Sequence, residues 1–138
     1  MRKVVFGPLS ATHPVRENVI RTFSKSSAGW DLYLERMSPR HYDQICRKYS
    51  FVAAVRGNGV DTHRLWEALY RGLTPIIVQD KWWSSLEHLF PQVIPISSWN
   101  ISEIESVIRT QSECLIIPED IAALWMPYWS ALIASHLE

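Results

Sequence analysis

The sequence predicts an α/β fold: a doubly wound parallel sheet of about five strands, with helices on both faces. Short runs rich in Val, Ile, Ala and Phe alternate along the chain with longer stretches whose apolar residues recur at helical spacing. Strands that alternate with helices imply parallel pairing through helical crossovers. The segment Phe51 to Asp80 repeats that logic most densely: apolar strand, glycine loop, helix, glycine stop, second apolar strand.

The elements follow in order. Lys3 to Gly7 reads as a first strand ending in a glycine. Thr12 or His13 caps a helix with Pro14 in its first turn, running to about Ser24. Trp30 to Glu35 alternates and reads as a second strand. A helix from Ser38-Pro39 through Tyr49 places Tyr42, Ile45, Cys46 and Tyr49 on one face. Phe51 to Val55 suits a buried third strand. Asp61 or Thr62 caps the third helix, and its Leu65, Ala68 and Leu69 form the stripe that packs on the sheet. Gly72 stops it, and Pro75 to Val78 is the fourth strand. Trp82 to Phe90 reads as a short helix, and Val93 to Ile96 as a fifth strand whose Pro95 suggests a sheet edge. Ser102 to Gln111 is expected to be a helix opened by a Ser102–Glu105 capping box. Pro118 to Leu137 is expected to be helical, with a break near Pro127.

Five strands of this kind fit the Rossmann-like order 2-1-3-4-5, all within one domain over 1–138. Such sheets bind ligands where the order reverses, between the carboxyl ends of strands one and three. The loop after strand three is Arg56-Gly57-Asn58-Gly59, leading to Asp61. Two glycines allow close backbone approach, and the helix start that follows offers unsatisfied N–H groups, a combination that cradles phosphate. Arg64 sits about one turn inside that helix. The loop after strand one brings Ser10, Thr12, His13 and Arg16 opposite, making Arg16 a second phosphate candidate. His63, Arg64, Glu67 and Arg71 share a helix face. Glu67 either accepts the two hydroxyls of a ribose or pairs with His63 and Arg71.

Weaker candidates lie on the same rim. Gln79, Asp80 and Lys81 end strand four, Lys81-Trp82-Trp83 offers stacking surface, and Tyr33-Leu34-Glu35-Arg36 is within reach of a base. Each has an ordinary structural reading as well: a solvated loop, a packed indole, a strand end. His13 and His63 have no acidic orienter nearby in sequence, which argues against a catalytic dyad.

Composition narrows the classes. The 138 residues are 47% hydrophobic and 20% charged, as in a globular domain. Lys+Arg and Asp+Glu both number 14, so a nucleic-acid footprint is not expected. No apolar run is long enough for a membrane span, and no secretory signal pattern opens the chain. Cys46 and Cys114 lack metal or disulfide spacing, and five scattered histidines include no zinc pair. Free thiols and a cytoplasmic location are the expectation, with no metal and no cofactor.

Gly57-Asn58-Gly59, Asp61, Arg64, Glu67-Ala68-Leu69 and Gly72-Leu73-Thr74-Pro75-Ile76-Ile77 resemble the donor-binding signature of exostosin-like glycosyltransferases, a GT-B family. The match is dense over about thirty residues. Leu73-Thr74 stands where the family often carries a Cys before the Pro, and Gly59 falls near the place of a second acidic residue. The resemblance implies the C-terminal half of a GT-B fold, binding a UDP- or GDP-linked sugar for transfer to an acceptor hydroxyl. Arg64 would contact the pyrophosphate and Glu67 the ribose. It also implies an acceptor domain, carried on a longer chain or met in trans. A non-catalytic nucleotide-binding or protein-interaction module is the alternative. Ile121, Leu124, Trp125, Tyr128, Trp129, Leu132, Ile133 and Leu137 leave the C-terminal helix apolar round much of its girdle. That points to a partner surface or a homo-oligomer.

Overall fold

A computed structural model describes residues 3–25, 27–57, 63–85 and 87–110. Five strands, β1 (Val4–Phe6), β2 (Trp30–Leu32), β3 (Phe51–Ala53), β4 (Thr74–Val78) and β5 (Ile94–Ile96), form one sheet in the order β2-β1-β3-β4-β5. Every neighbouring pair is parallel, with Val4 opposite both Trp30 and Phe51. The helices are α1 (Pro14–Phe23), α2 (Pro39–Cys46), α3 (His63–Tyr70), α4 (Lys81–Ser84) and α5 (Ile101–Thr110). The fold is the Rossmann-like α/β architecture that the sequence predicts. Pro95 lies on β5, an edge strand of the sheet among the described residues. No helix among the described residues is long and apolar enough to cross a membrane. Asn58, Gly59, Asp61, Thr62, Cys114 and the expected helix over Pro118 to Leu137 lie outside the described residues.

Strand alternation sorts the side chains onto two faces. Val4, Phe6, Phe51, Ala53, Val55 and Ile76 share one core with Val19 and Phe23 of α1 and with Ile104 and Val107 of α5. Val5 and Val52 turn the other way, against Ile45, Tyr49 and Ala68. Ala54 and Ile77 continue that second face against Leu65, Leu69, Trp83 and Phe90. Burying a large apolar side chain contributes about 1.5–3 kcal/mol, so two filled faces account for the double winding. The stripe Leu65, Ala68 and Leu69 is fully buried, which fixes the rotation of α3 and sends Arg64, Glu67 and Arg71 toward the strand ends.

Several boundaries differ from expectation for identifiable reasons. α5 begins one residue early and its cap lies two residues early: Asn100 Oδ1 accepts from the Glu103 N–H at 2.9 Å, and Glu103 reaches back to the Ser97 and Ser98 N–H groups. The N-cap is therefore Asn100, not Ser102, and the Asn100 N–H donates to Ser98 O, so Glu103 does not close a capping box on it. Trp82 to Phe90 splits into α4, capped by Asp80, and a 3-10 turn at Glu87–Leu89. α2 stops at Cys46, and Tyr49 follows in a turn that stays buried. The second strand is confined to Trp30–Leu32.

Two glycines hold positive φ, for different purposes. At Gly72 (φ 74°) α3 ends in a Schellman arrangement, with Leu73 N–H donating to Ala68 O and Gly72 N–H to Leu69 O. Gly7 (φ 96°) ends β1 where its Cβ would run into the Tyr33 carbonyl. Gly72 has open space around it. Gly72→Ala should therefore cost only the left-handed backbone penalty of about 1–2 kcal/mol. Gly7→Ala should cost clearly more, because backbone must move as well. Urea unfolding of both variants checks this; equal losses would show that the Tyr33 contact does not constrain β1.

Asp31 on β2 ties the sheet to the turn after α2. Its Oδ2 accepts from Lys3 Nζ at 3.0 Å and from the Tyr49 hydroxyl at 2.6 Å, and the Tyr33 and Tyr49 hydroxyls lie 3.0 Å apart. Desolvation works against ionisation of Asp31, but the Tyr49 and Lys3 bonds outweigh it and hold the carboxyl below the ordinary range. A depressed carboxylate pKa stabilises the fold above the unfolded value, near ~4, and that contribution is lost as pH falls through the folded value. Asp31→Asn should cost about 1 kcal/mol at neutral pH, discounted for partial exposure, and should flatten the acid limb of the stability curve. An acid limb of unchanged slope would remove Asp31 from the account.

Candidate functional site

In an open parallel sheet, the loops leaving two adjacent strands diverge when their helices go to opposite faces. Here they are the loops after β1 and β3, and a cleft of about 670 Å³ lies between them. The carbonyls just past each strand, Gly7 and Pro8 after β1 and Val55 and Arg56 after β3, accept from two arginines.

Arg16 is held near the start of α1. His13 caps that helix, its Nδ1 accepting from the Val15 N–H at 3.1 Å, and Pro14 follows at the first helical position. From there Arg16 Nε donates to Arg56 O at 3.2 Å and Nη2 to Val55 O at 3.3 Å. The guanidinium lies over Gly57, where a Cβ would come within 3.1 Å of it. The glycine thus admits the arginine.

Arg64, in the first turn of α3, reaches the opposite way. Its Nη1 donates to Gly7 O at 2.9 Å and its Nη2 to Pro8 O at 2.8 Å. The guanidinium also stands over the Tyr42 ring, 4.5 Å from its centroid. The pattern is reciprocal. The helix after β1 serves the carbonyls after β3, and the helix after β3 serves those after β1.

The other expected residues distribute unevenly. Ser10, Thr12, Leu34, Arg36, His63, Glu67 and Arg71 join Arg16, Gly57 and Arg64 on the cleft wall. Arg71 binds Asp43 at 2.9 Å and meets Glu67 only at 3.9 Å. Glu67 makes a long i,i+4 pair with Arg71, has no ion pair with His63 among the described residues, and lines the cleft. His13 is a helix cap, and Tyr33 gives its hydroxyl to the Tyr49 network. Gln79 donates to Ser84 Oγ, and Asp80 Oδ1 accepts the Trp83 N–H at 2.7 Å, so the end of β4 serves α4 and does not line this cleft. Sequence reasoning missed Tyr42 as the platform beneath Arg64. It read this residue only as part of an apolar helix face, and no local signal pairs positions 42 and 64.

The electrostatics favour an anion. The described wall carries Arg16, Arg36, Arg64 and Arg71 with His63, against one carboxylate, Glu67, in a chain of zero formal charge. Burial, and then the Arg64 charge, push the Arg16 pKa down. An anion between the two guanidiniums would relieve that repulsion. At Arg71 burial opposes the charge, but the Asp43 bond raises its pKa overall, so this arginine is neutralised within the protein. Burial pushes Tyr42 up to about 12 and also raises the Cys46 thiol, leaving both neutral at physiological pH. Among the described residues no cluster of three or more His, Cys, Asp or Glu could hold a metal ion. No protein-family profile matches the chain, and no curated protein matches it significantly.

Losing Arg64 leaves two partly buried carbonyls without their charged donor. Arg64→Ala should cost about 1.5–3 kcal/mol of stability. Arg64→Lys should recover less than half of it, because an ammonium cannot reproduce the planar fork over two carbonyls and a ring. Full recovery by Lys in denaturant titrations would reduce Arg64 to a point charge.

Proposed function

We propose that the chain is the donor-binding domain of a glycosyltransferase, resembling the exostosin-like GT-B enzymes, and that it binds a nucleoside diphosphate sugar in the cleft between β1 and β3. The observation that carries this reading is the convergence of Arg16 and Arg64 on one cleft, with the Arg16 guanidinium seated over Gly57. Sugar transfer leaves negative charge on the departing diphosphate, and fixed guanidiniums facing that charge lower the barrier. Glu67 on the same wall is an acceptor suited to ribose hydroxyls. The acceptor hydroxyl and its general base would come from an acceptor domain, in cis or in trans.

A second reading is a nucleotide-binding or interaction module without transfer. It is favoured by the use that both arginines already make of their N–H groups on main-chain carbonyls. A scaffold needs those bonds for its own sake. Both readings share the diphosphate site, and release of the nucleoside diphosphate with appearance of the sugar on an acceptor hydroxyl separates them.

Calorimetric titration with UDP, GDP and ADP tests the shared site. Arg16→Gln should cost about 1.5–3 kcal/mol of diphosphate affinity and leave the parent nucleosides unaffected. Equal losses for nucleoside and diphosphate would mean that Arg16 acts only through folding. Glu67→Gln should weaken ribonucleotides more than their 2′-deoxy forms; an unchanged ribose preference would remove Glu67 from the sugar contact.

A further inference from the structure

A second cavity, of about 150 Å³, opens on the same rim. Trp82, Trp83 and Trp99 wall it, with Arg56 and Asp80 as its charged members. The two cavities flank the same backbone. Val15 and Arg56 line the small one, while their chain neighbours Arg16 and Gly57 line the cationic cleft. The Arg16 bonds to Val55 O and Arg56 O join the two segments that run between them.

Three features describe the occupant. A cavity of about 150 Å³ holds a single six-membered ring, on the scale of benzene in an engineered cavity of that size. The wall is mainly apolar, with three indoles among aliphatic side chains, which suits the C–H faces of a ring. Yet it also carries donors. Trp30 gives its indole N–H to the Lys25 carbonyl at 3.2 Å, whereas those of Trp82, Trp83 and Trp99 meet no acceptor among the described residues. Trp83 and Trp99 are 1% and 6% exposed as whole residues, yet among the described residues only Gln92 Oε1 is a fully buried side-chain polar atom without a partner, so these indole N–H groups border open space. Arg56 and Asp80 line the cavity without pairing with each other, and Asp80 spends only Oδ1 on the α4 cap. Indole and guanidinium donors beside a carboxylate acceptor fit a ring edged with hydroxyls, which both gives and takes hydrogen bonds.

We propose that the tryptophan cavity is a subsite for one pyranose ring, so that a ligand with its diphosphate on Arg16 and Gly57 carries its sugar past the 55–57 backbone onto Trp82. This rests on the diphosphate reading of the larger cleft. It assigns recognition of the sugar to Trp82, Arg56 and Asp80, and none of it to the Arg64–Glu67 helix face.

The test compares UDP with UDP-glucose and GDP with GDP-mannose by calorimetry and indole fluorescence, on the wild-type chain and on Trp82→Leu. Trp82 is chosen because it is half-buried, while Trp83 and Trp99 belong to the core. Arg56→Gln, altering a side chain that donates to the carbonyl of its own neighbour Gly57, serves as the second variant. At least one nucleotide sugar should bind up to about tenfold more tightly than its diphosphate and quench indole emission. Trp82→Leu and Arg56→Gln should each erase that increment and leave diphosphate affinity within about twofold. Equal affinity of diphosphate and nucleotide sugar would overturn the subsite and leave the diphosphate reading intact. A sugar increment that survives both variants would place the sugar elsewhere. Loss of uridine or guanosine affinity in Trp82→Leu would make the cavity a base site instead. Absence of binding by every diphosphate and nucleotide sugar would overturn both readings.

Discussion

Where a parallel sheet reverses its order, the strands on either side of the switch lose each other's hydrogen bonds just as their loops part. The carbonyls just past β1 and β3 face this problem here, and Arg16 and Arg64 answer it crosswise. Buried or half-buried carbonyls without donors are costly, so the arginines are first a structural necessity. Their consequence is electrostatic. Satisfying a carbonyl uses an N–H without cancelling a charge, and two cations are thereby fixed at the mouth of one cleft. The site and the fold are thus held by the same bonds.

The rest of the architecture follows from keeping those two helices in place. α1 is started by His13 and Pro14, and its Val19 and Phe23 anchor it to one face of the sheet. α3 is rotated by Leu65, Ala68 and Leu69 and stopped by the Gly72 arrangement. Tyr42 on α2 supplies the platform under Arg64, and Asp43 on the same helix takes up the charge of Arg71. α2 thereby takes up the charge of Arg71, while Arg16 has no carboxylate partner among the described residues.

Much of this was legible before any coordinates. The order of the sheet follows from strand–helix alternation, and the switch point from that order, so Arg16, Gly57, Arg64 and Glu67 could be brought to one cleft by topology alone. Pro95 at an edge and Gly72 at a helix stop are local rules applied to single residues. What was not legible is long-range or a choice between equals. The bonds of Arg16 to positions 55 and 56, and of Arg64 to positions 7 and 8, span some forty to sixty residues without a local signature. Asn100 and Ser102 are both good caps, and Glu103 decides between them by reaching Ser97 and Ser98. Lys81-Trp82-Trp83 read as stacking surface or packing, and the structure divides them: Trp83 is buried, while Trp82 is half-buried on the wall of a second cavity whose third indole, Trp99, comes from beyond β5.

The central claim is that the crossed arginines, fixed by carbonyls, form an anion site. It is tested most directly by the rise in melting temperature that inorganic pyrophosphate produces in the wild-type chain and in the Arg16→Gln, Arg64→Gln double variant, at constant ionic strength. A ligand at a hundred times its dissociation constant stabilises a fold by about 2.7 kcal/mol, so a real site gives a readable shift. Melting temperature should rise with pyrophosphate concentration in the wild-type chain and not in the double variant, which should be less stable but still show a cooperative transition. An equal rise in both proteins would contradict it, because the anion would then be bound without the two guanidiniums.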